Sequence, residues 1–307
     1  MVRIDHPPHN FMTAEIVREL SDLVRSVDRD RSVGAVVITG KPDDLYVTHY
    51  DVGEILASVE RAGIAAPPWL TSLLLKVVGA VRRVPGLRSA AERTPLAAVF
   101  ELYRIHDLFL SMNRSEKVFI AAINGPATGG GCELSLACDI RYMADAEIAI
   151  GLPEMTVDFN PGAGGTQRLP RAVGVGRALE MMLEGRTLAP SEALDYGLVQ
   201  AVLPPAELEE AAIQTGERLA RRAPEAIRAL KHAVYEGSSR ALSKGLAQER
   251  KWFMFASATD SSKEKMAAMA RQVDADGASP WAKAETLRPW QDGTTGAEEL
   301  PAERSDG

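Results

Sequence analysis

Cysteine is nearly absent: the 307 residues hold two, Cys132 and Cys138, close together in one segment. Two cysteines cannot staple a disulfide scaffold, and nothing around them has the spacing of zinc ligands, so no metal site is expected. Both read as small buried apolar residues, and a reducing, cytoplasmic setting suits them best. Aromatic residues are scarce at 6%, against 46% hydrophobic residues overall, so the core must be mainly aliphatic. No apolar run reaches the roughly 18 uninterrupted residues of a membrane span. The opening Met1-Val2-Arg3-Ile4-Asp5-His6-Pro7-Pro8 lacks the apolar centre of a secretion signal. Positive charge is also short: Lys+Arg 35 against Asp+Glu 42 leaves a net −7. That balance argues against a broad nucleic-acid surface, where phosphate neutralisation dominates affinity. A local basic pocket for a phosphorylated small molecule is still compatible with it. No internal repeat is found.

What is present reads as an α/β protein. Thr13 is placed to cap a helix carrying Ile16, Val17, Leu20, Leu23, Val24 and Val27 at helical spacing. Ala35-Val36-Val37-Ile38 reads as a buried strand closed by the turn Gly40-Lys41-Pro42-Asp43-Asp44. A helix is predicted around Leu102, Ile105, Phe109 and Met112, then a strand over Val118–Ile123, then short strands at Arg141–Met143 and Ile148–Ile150. From about Pro205 to Gln272 the pattern is helical. The domain reading is a core over 1–204 with an inserted segment near 57–95, a helical region over 205–273, and an extended or disordered tail over 274–307. Within the insert, Trp69 to Val84 is apolar almost all round. It reads first as a helix buried at a subunit contact, with a lid over a ligand or a membrane-surface helix as the other readings.

The chemistry concentrates downstream of the Val118–Ile123 strand. Asn124-Gly125-Pro126-Ala127-Thr128-Gly129-Gly130-Gly131-Cys132-Glu133-Leu134 is a glycine-rich turn running into a helix. Glycines let a backbone approach a ligand closely, and a helix start offers unpaired N–H donors that can hold a developing oxyanion. Glu133 in that first turn is also favoured by the helix dipole alone. A second carboxylate follows at Glu154, in Gly151-Leu152-Pro153-Glu154, and then Asn160-Pro161-Gly162-Ala163-Gly164-Gly165-Thr166-Gln167-Arg168-Leu169. Each piece alone reads as an ordinary turn or a surface glutamate.

In this order, with Val36-Val37-Ile38-Thr39-Gly40, Gly185-Arg186-Thr187-Leu188 and Ala193-Leu194-Asp195-Tyr196-Gly197-Leu198-Val199, the segments resemble the crotonase family, the enoyl-CoA hydratase/isomerase superfamily. The resemblance covers roughly His6 to Met269 outside the insert. It implies a crotonase-like (ClpP/crotonase) spiral of β-β-α units followed by a helical trimerisation region. It further implies an acyl-CoA thioester substrate of fatty-acid-type metabolism, no separate cofactor because CoA is part of the substrate, and a homotrimer or dimer of trimers. Matched position by position, the catalytic glutamates fall on Glu133 and Glu154, and the oxyanion donors on Gly130 N–H and Tyr50 N–H. His49, Asp51, Gly129 and Gly162 fall at the substrate. The implied reaction is water addition to a 2-enoyl-CoA. Double-bond isomerisation using mainly Glu154 and a catalytically impaired acyl-CoA-binding protein are the alternatives. Where the family has Gly-Ala before the retained Asp51, this chain has His49-Tyr50. Two bulky side chains are therefore expected where room is left for CoA. His49 reads either as an extra acid/base or as a space-filling, backbone-bonded histidine.

Overall fold

The computed structural model describes residues 1–62, 67–84, 94, 97–276 and 279–294. Strand β1 (Val2–Ile4) leads to helix α1 (Ala14–Arg29), capped by the Thr13 side chain, which accepts from Ile16 N–H at 3.3 Å. Ile16, Val17, Leu20, Val24 and Val27 line its buried face, as their 3.6-residue periodicity demands. Strand β2 (Ala35–Gly40) follows, then α2 (Val52–Ala62), whose first turn is closed by Asp51 Oδ1 accepting from Glu54 N–H at 3.0 Å.

Helix α3 (Pro68–Val81) occupies the apolar insert. Its apolar residues do not find a core: only Val78 is buried, and Trp69 is 70% exposed. Residues 63–66, 85–93 and 95–96 of the expected insert lie outside the described residues. Helix α4 (Ala97–Arg114) leads to β3 (Val118–Ile123), which is buried at every residue, as a strand covered on both faces must be. Strand β4 (Ala127–Thr128) turns into α5 (Gly130–Ala137), itself buried throughout. Then come β5 (Ile140–Ala144), β6 (Ile150–Gly151), a 3₁₀ turn (Glu154–Val157), α6 (Gly165–Val173), α7 (Val175–Glu184), β7 (Thr187–Leu188), α8 (Pro190–Asp195) and β8 (Ala201–Leu203). Helices α9 (Pro205–Ala220), α10 (Pro224–Gly237), α11 (Leu242–Ser257) and α12 (Asp260–Asp276) complete the expected helical region.

The larger sheet runs β1-β2-β3-β5-β8. Its described pairings are parallel, with Val2 opposite Ile38, Ile120 opposite Ile140 and Tyr142 opposite Ala201. A smaller sheet, β4-β6-β7, is mixed: Ala127 lies opposite Ile150 in parallel, and Ile150 opposite Leu188 in antiparallel. Two buried asparagines tie down the loop after β2. Asn124 Oδ1 accepts from Gly40 N–H at 3.0 Å, and Asn10 Nδ2 donates to Tyr46 O at 2.7 Å.

The chain divides into two compact units. The first holds both sheets and comprises Met1–Arg31, Val36–Asn113 and Phe119–Ile213. The second comprises Ser32–Ala35, Arg114–Val118 and Gln214–Gly307. There the His232 ring stacks on Trp252 at 4.3 Å, and the buried Lys231 ammonium donates to Lys117 O at 2.7 Å. The stretch expected to be an extended tail from residue 274 departs from that expectation. Helix α12 continues to Asp276, and a further helix, α13 (Ala284–Gln291), follows a turn at Pro280–Ala282. Trp290 Nε1 donates to Gln272 Oε1 at 3.0 Å, and Arg221 donates to Asp292 O at 2.9 Å. Such contacts with the preceding helices outweigh a composition that is poor in helix formers. Residues 295–307 lie outside the described residues.

Candidate active site

The glycine-rich turn sets the geometry. Gly129 has φ +49°, a conformation that side-chain-bearing residues avoid. It ends β4, donating its N–H to Gly151 O at 2.9 Å, and lets α5 begin at Gly130. Beside it runs the loop containing His49 and Tyr50, held by Thr128 N–H and Oγ1, which both donate to Thr48 O at 2.8 and 2.6 Å.

Tyr50 forms a parallel bridge with Met12: Met12 N–H donates to His49 O at 2.8 Å and Asp51 N–H to Met12 O at 2.9 Å. Alternation along an extended chain then turns Tyr50 N–H the other way. Gly130 is on that side: a Cβ built on it would lie 3.1 Å from Tyr50 N. Among the described residues, neither Tyr50 N–H nor Gly130 N–H donates to a protein acceptor. Two free backbone donors side by side are what an oxyanion requires.

Glu133 is 3% exposed, and its Oε1 accepts from Ala163 N–H and Gly165 N–H, each at 2.7 Å. Burial pushes its carboxyl up to about 7 and the charge of Glu154 adds to this, while the two amides and Arg168 pull the other way. Arg168 is itself anchored, its guanidinium lying 5.6 Å from the centre of the Phe109 ring. Glu154 opens the 3₁₀ turn, and burial raises its carboxyl as well. Its Oε1 lies 3.4 Å from where a Cβ on Gly129 would stand. Its Oε2 is buried and accepts no hydrogen bond among the described residues.

Glu133, Glu154, Gly129, Gly130, His49, Tyr50 and Gly162 all line one cavity of about 1220 Å³. Of the residues singled out in the sequence, Asp51 does not line it and caps α2 instead. His49 and Tyr50, the bulky pair expected from the sequence, line this cavity, and each side chain is held by a local partner. The His49 ring turns aside to stack on Phe11 at 4.3 Å, with Nδ1 2.7 Å from Tyr50 O, in keeping with the backbone-bonded reading of that histidine. The Tyr50 hydroxyl is hydrogen-bonded to the Glu54 carboxylate, and burial, then the charges of Glu54 and Glu101, raises its pKa. Cys132 and Cys138 are free and buried, as their place in α5 suggested.

Sequence reasoning did not single out the amides of Ala163 and Gly165, although the motif carrying them was legible. It also missed Arg18, Glu54, Glu101 and Arg104, which line the same cavity from α1, α2 and α4. No motif marks these four. Among the described residues no helix is long and apolar enough to cross a membrane, and no three His, Cys, Asp or Glu side chains gather as a metal site.

The profile of the family described as enoyl-CoA hydratase/isomerase matches residues 90–276. The chain belongs to the enoyl-CoA hydratase/isomerase family. It is 32% identical over 267 residues to a probable enoyl-CoA hydratase of Rhizobium meliloti, covering 87% of this chain and 89% of that protein. Over 169 residues it is 40% identical to the 2,3-dehydroadipyl-CoA hydratase of Escherichia coli, covering 55% of this chain and 66% of that protein. The crystal structure of an enoyl-CoA hydratase from Bacillus anthracis superimposes with a TM-score of 0.68 at 31% identity, covering 88% of this chain and 92% of that one. The α/β crotonase-like fold implied by the sequence motifs is therefore the fold of this enoyl-CoA hydratase/isomerase family member.

Proposed function

We propose that this protein is an enoyl-CoA hydratase, adding water across the double bond of a 2-enoyl-CoA. The reading is carried by one observation. Two carboxylates, Glu133 and Glu154, meet in one cavity beside two unspent backbone donors, Tyr50 N–H and Gly130 N–H. Burial raises both carboxyls, and the charge of Glu154 adds to the rise at Glu133.

In the proposed mechanism the thioester oxygen sits between the two amides. A water lies between the carboxylates, accepting from the protonated one and donating to the ionised one. Glu133, aligned by Ala163 N–H and Gly165 N–H, takes a proton from this water as its oxygen bonds to C3. The C2–C3 π electrons move toward the carbonyl, and the enolate oxygen is held by Tyr50 N–H and Gly130 N–H. Protonated Glu154 then delivers its proton to C2, the enolate collapses, and the proton balance of the pair is kept. The unpartnered Glu154 Oε2 supports its part, since a buried oxygen without a protein donor is ready for water or substrate.

The exposed apolar face of α7 supports self-association into a homotrimer or dimer of trimers as part of the same proposal. Val175, Leu179 and Leu183 are 72%, 52% and 61% exposed and recur at helical spacing. Light scattering reads that assembly. A cytoplasmic setting is supported by the two free thiols.

The test is turnover of 2-enoyl-CoA esters, followed as loss of the conjugated absorbance. Parallel losses in Glu133→Gln and Glu154→Gln support hydration. Tolerance of Glu133→Gln with loss in Glu154→Gln converts the reading to proton shuttling by an isomerase. Tight acyl-CoA binding with no turnover leaves a binding protein.

A further inference from the structure

The wall of the cavity formed by α1, α2 and α4 sets four charged side chains, Arg18, Glu54, Glu101 and Arg104, among apolar ones. Resting on the hydratase reading, we propose that the preferred acyl group is short and ends in a carboxylate, recognised by Arg18.

Glu101 is shared by two guanidiniums: its Oε1 lies 3.5 Å from Arg18 Nη1 and its Oε2 lies 3.1 Å from Arg104 Nε. Glu54 is already committed, accepting from Ala14 N–H at 2.9 Å and bonded to the Tyr50 hydroxyl. Taken together Arg18, Arg104, Glu54 and Glu101 carry no net formal charge. The distinction lies in donors. A guanidinium carries five N–H groups in a planar fork. Arg18 spends one on Glu101, at the limit of hydrogen-bond length, and its side chain is 50% exposed. It is free to turn a fork toward a ligand carboxylate, while Arg104 keeps Glu101 in place.

Tyr50 gives the chain length. Its backbone amide stands beside Gly130, where the thioester oxygen is placed in the proposed mechanism, and its hydroxyl reaches the ionic wall at Glu54. The reacting centre and the ionic wall are thus separated by about one tyrosine side chain. A ligand bridging them takes an acyl chain of roughly four to six carbons at ordinary bond lengths. Val52, Ile55 and Ile105 supply apolar lining for its methylenes.

Binding decides this independently of turnover. Titration calorimetry compares hexanedioyl-CoA with hexanoyl-CoA, saturated esters of equal length that differ in a terminal carboxylate or methyl. The dicarboxylic ester is expected to bind more tightly by about tenfold, the worth of one charge-assisted pair. Arg18→Met is expected to bring that ratio close to one, and Arg18→Lys, which keeps the charge but lacks the planar fork, to retain only part of the preference. Equal or weaker binding of hexanedioyl-CoA to the parent protein overturns the inference, as does a preference that survives Arg18→Met. If the preference holds but no enoyl ester turns over, the hydratase reading fails and this one stands. If crotonyl-CoA is hydrated but both saturated esters bind alike, only this one fails.

Discussion

Gly165 N–H donates to Glu133 Oε1 at 2.7 Å, across 32 positions of chain, and so ties the second glycine cluster to the first carboxylate. A Cβ built on Gly165 would lie 3.0 Å from that same oxygen and 2.7 Å from Leu152 Cδ1. Glycine at 165 thus lets the backbone come close enough to aim Glu133.

Gly165→Ala is accordingly expected to displace the Glu133 carboxylate and lower kcat by about 10- to 100-fold, with a stability loss of about 1–3 kcal/mol. Enoyl-CoA turnover and urea unfolding on the same preparation read the two effects. An unchanged kcat would show that this contact does not set the carboxylate's position.

Replacing either carboxylate by its amide removes a proton acceptor while keeping the shape. Glu154→Gln is expected to lower kcat by about 10²- to 10⁴-fold, and Glu133→Gln by a similar factor. Steady-state kinetics with a short-chain 2-enoyl-CoA checks both, and a large asymmetry contradicts the shared-water mechanism.

The oxyanion element offers a backbone test. Tyr50 N–H donates to no described protein acceptor, and its bridge to Met12 uses the neighbouring peptide groups. Tyr50→Pro deletes that donor, whereas Tyr50→Phe deletes only the hydroxyl. The proline variant is expected to lose about 10²- to 10³-fold more kcat than the phenylalanine variant. Equal losses would move the site's importance from amide to ring.

Stability should depend on pH through Glu133. Its carboxyl is raised from 4.5 to about 7, chiefly by burial, so the unfolded chain releases this proton more readily than the folded one. The stabilisation is complete below about pH 4.5 and is lost as pH rises toward 7. It amounts to about 3 kcal/mol, at 1.36 kcal/mol for each pH unit of difference. Glu133→Gln keeps a neutral side chain at every pH. The difference in urea midpoint between variant and parent is expected to shift in the variant's favour from pH 4.5 to 7.5. A pH-independent difference contradicts a raised Glu133.

Much of the first unit was legible in order along the chain. Thr13 as a cap, the aliphatic run at Ala35–Ile38 and the uniformly apolar Val118–Ile123 each name their element, because local periodicity and capping chemistry act over a few residues. The glycine clusters named Glu133, Gly130 and Glu154 as partners through their resemblance to a family. Less legible was the segment after residue 274, where α13 depends on contacts such as Trp290 with Gln272 that composition does not encode.

By itself, then, the sequence determined the α/β class and the family and singled out Glu133 and Glu154 as the candidate acid pair, since those rest on local pattern and on side-chain chemistry at marked positions. The tertiary structure alone decided three things. Asp51 caps a helix and does not line the cavity. His49 and Tyr50 line the cavity with their side chains engaged by Phe11 and Glu54. Arg18, Glu54, Glu101 and Arg104 converge on one wall from three separate helices. Each outcome depends on which remote segments the packing brings within hydrogen-bond reach, a range of a few ångströms that no spacing along the chain can specify.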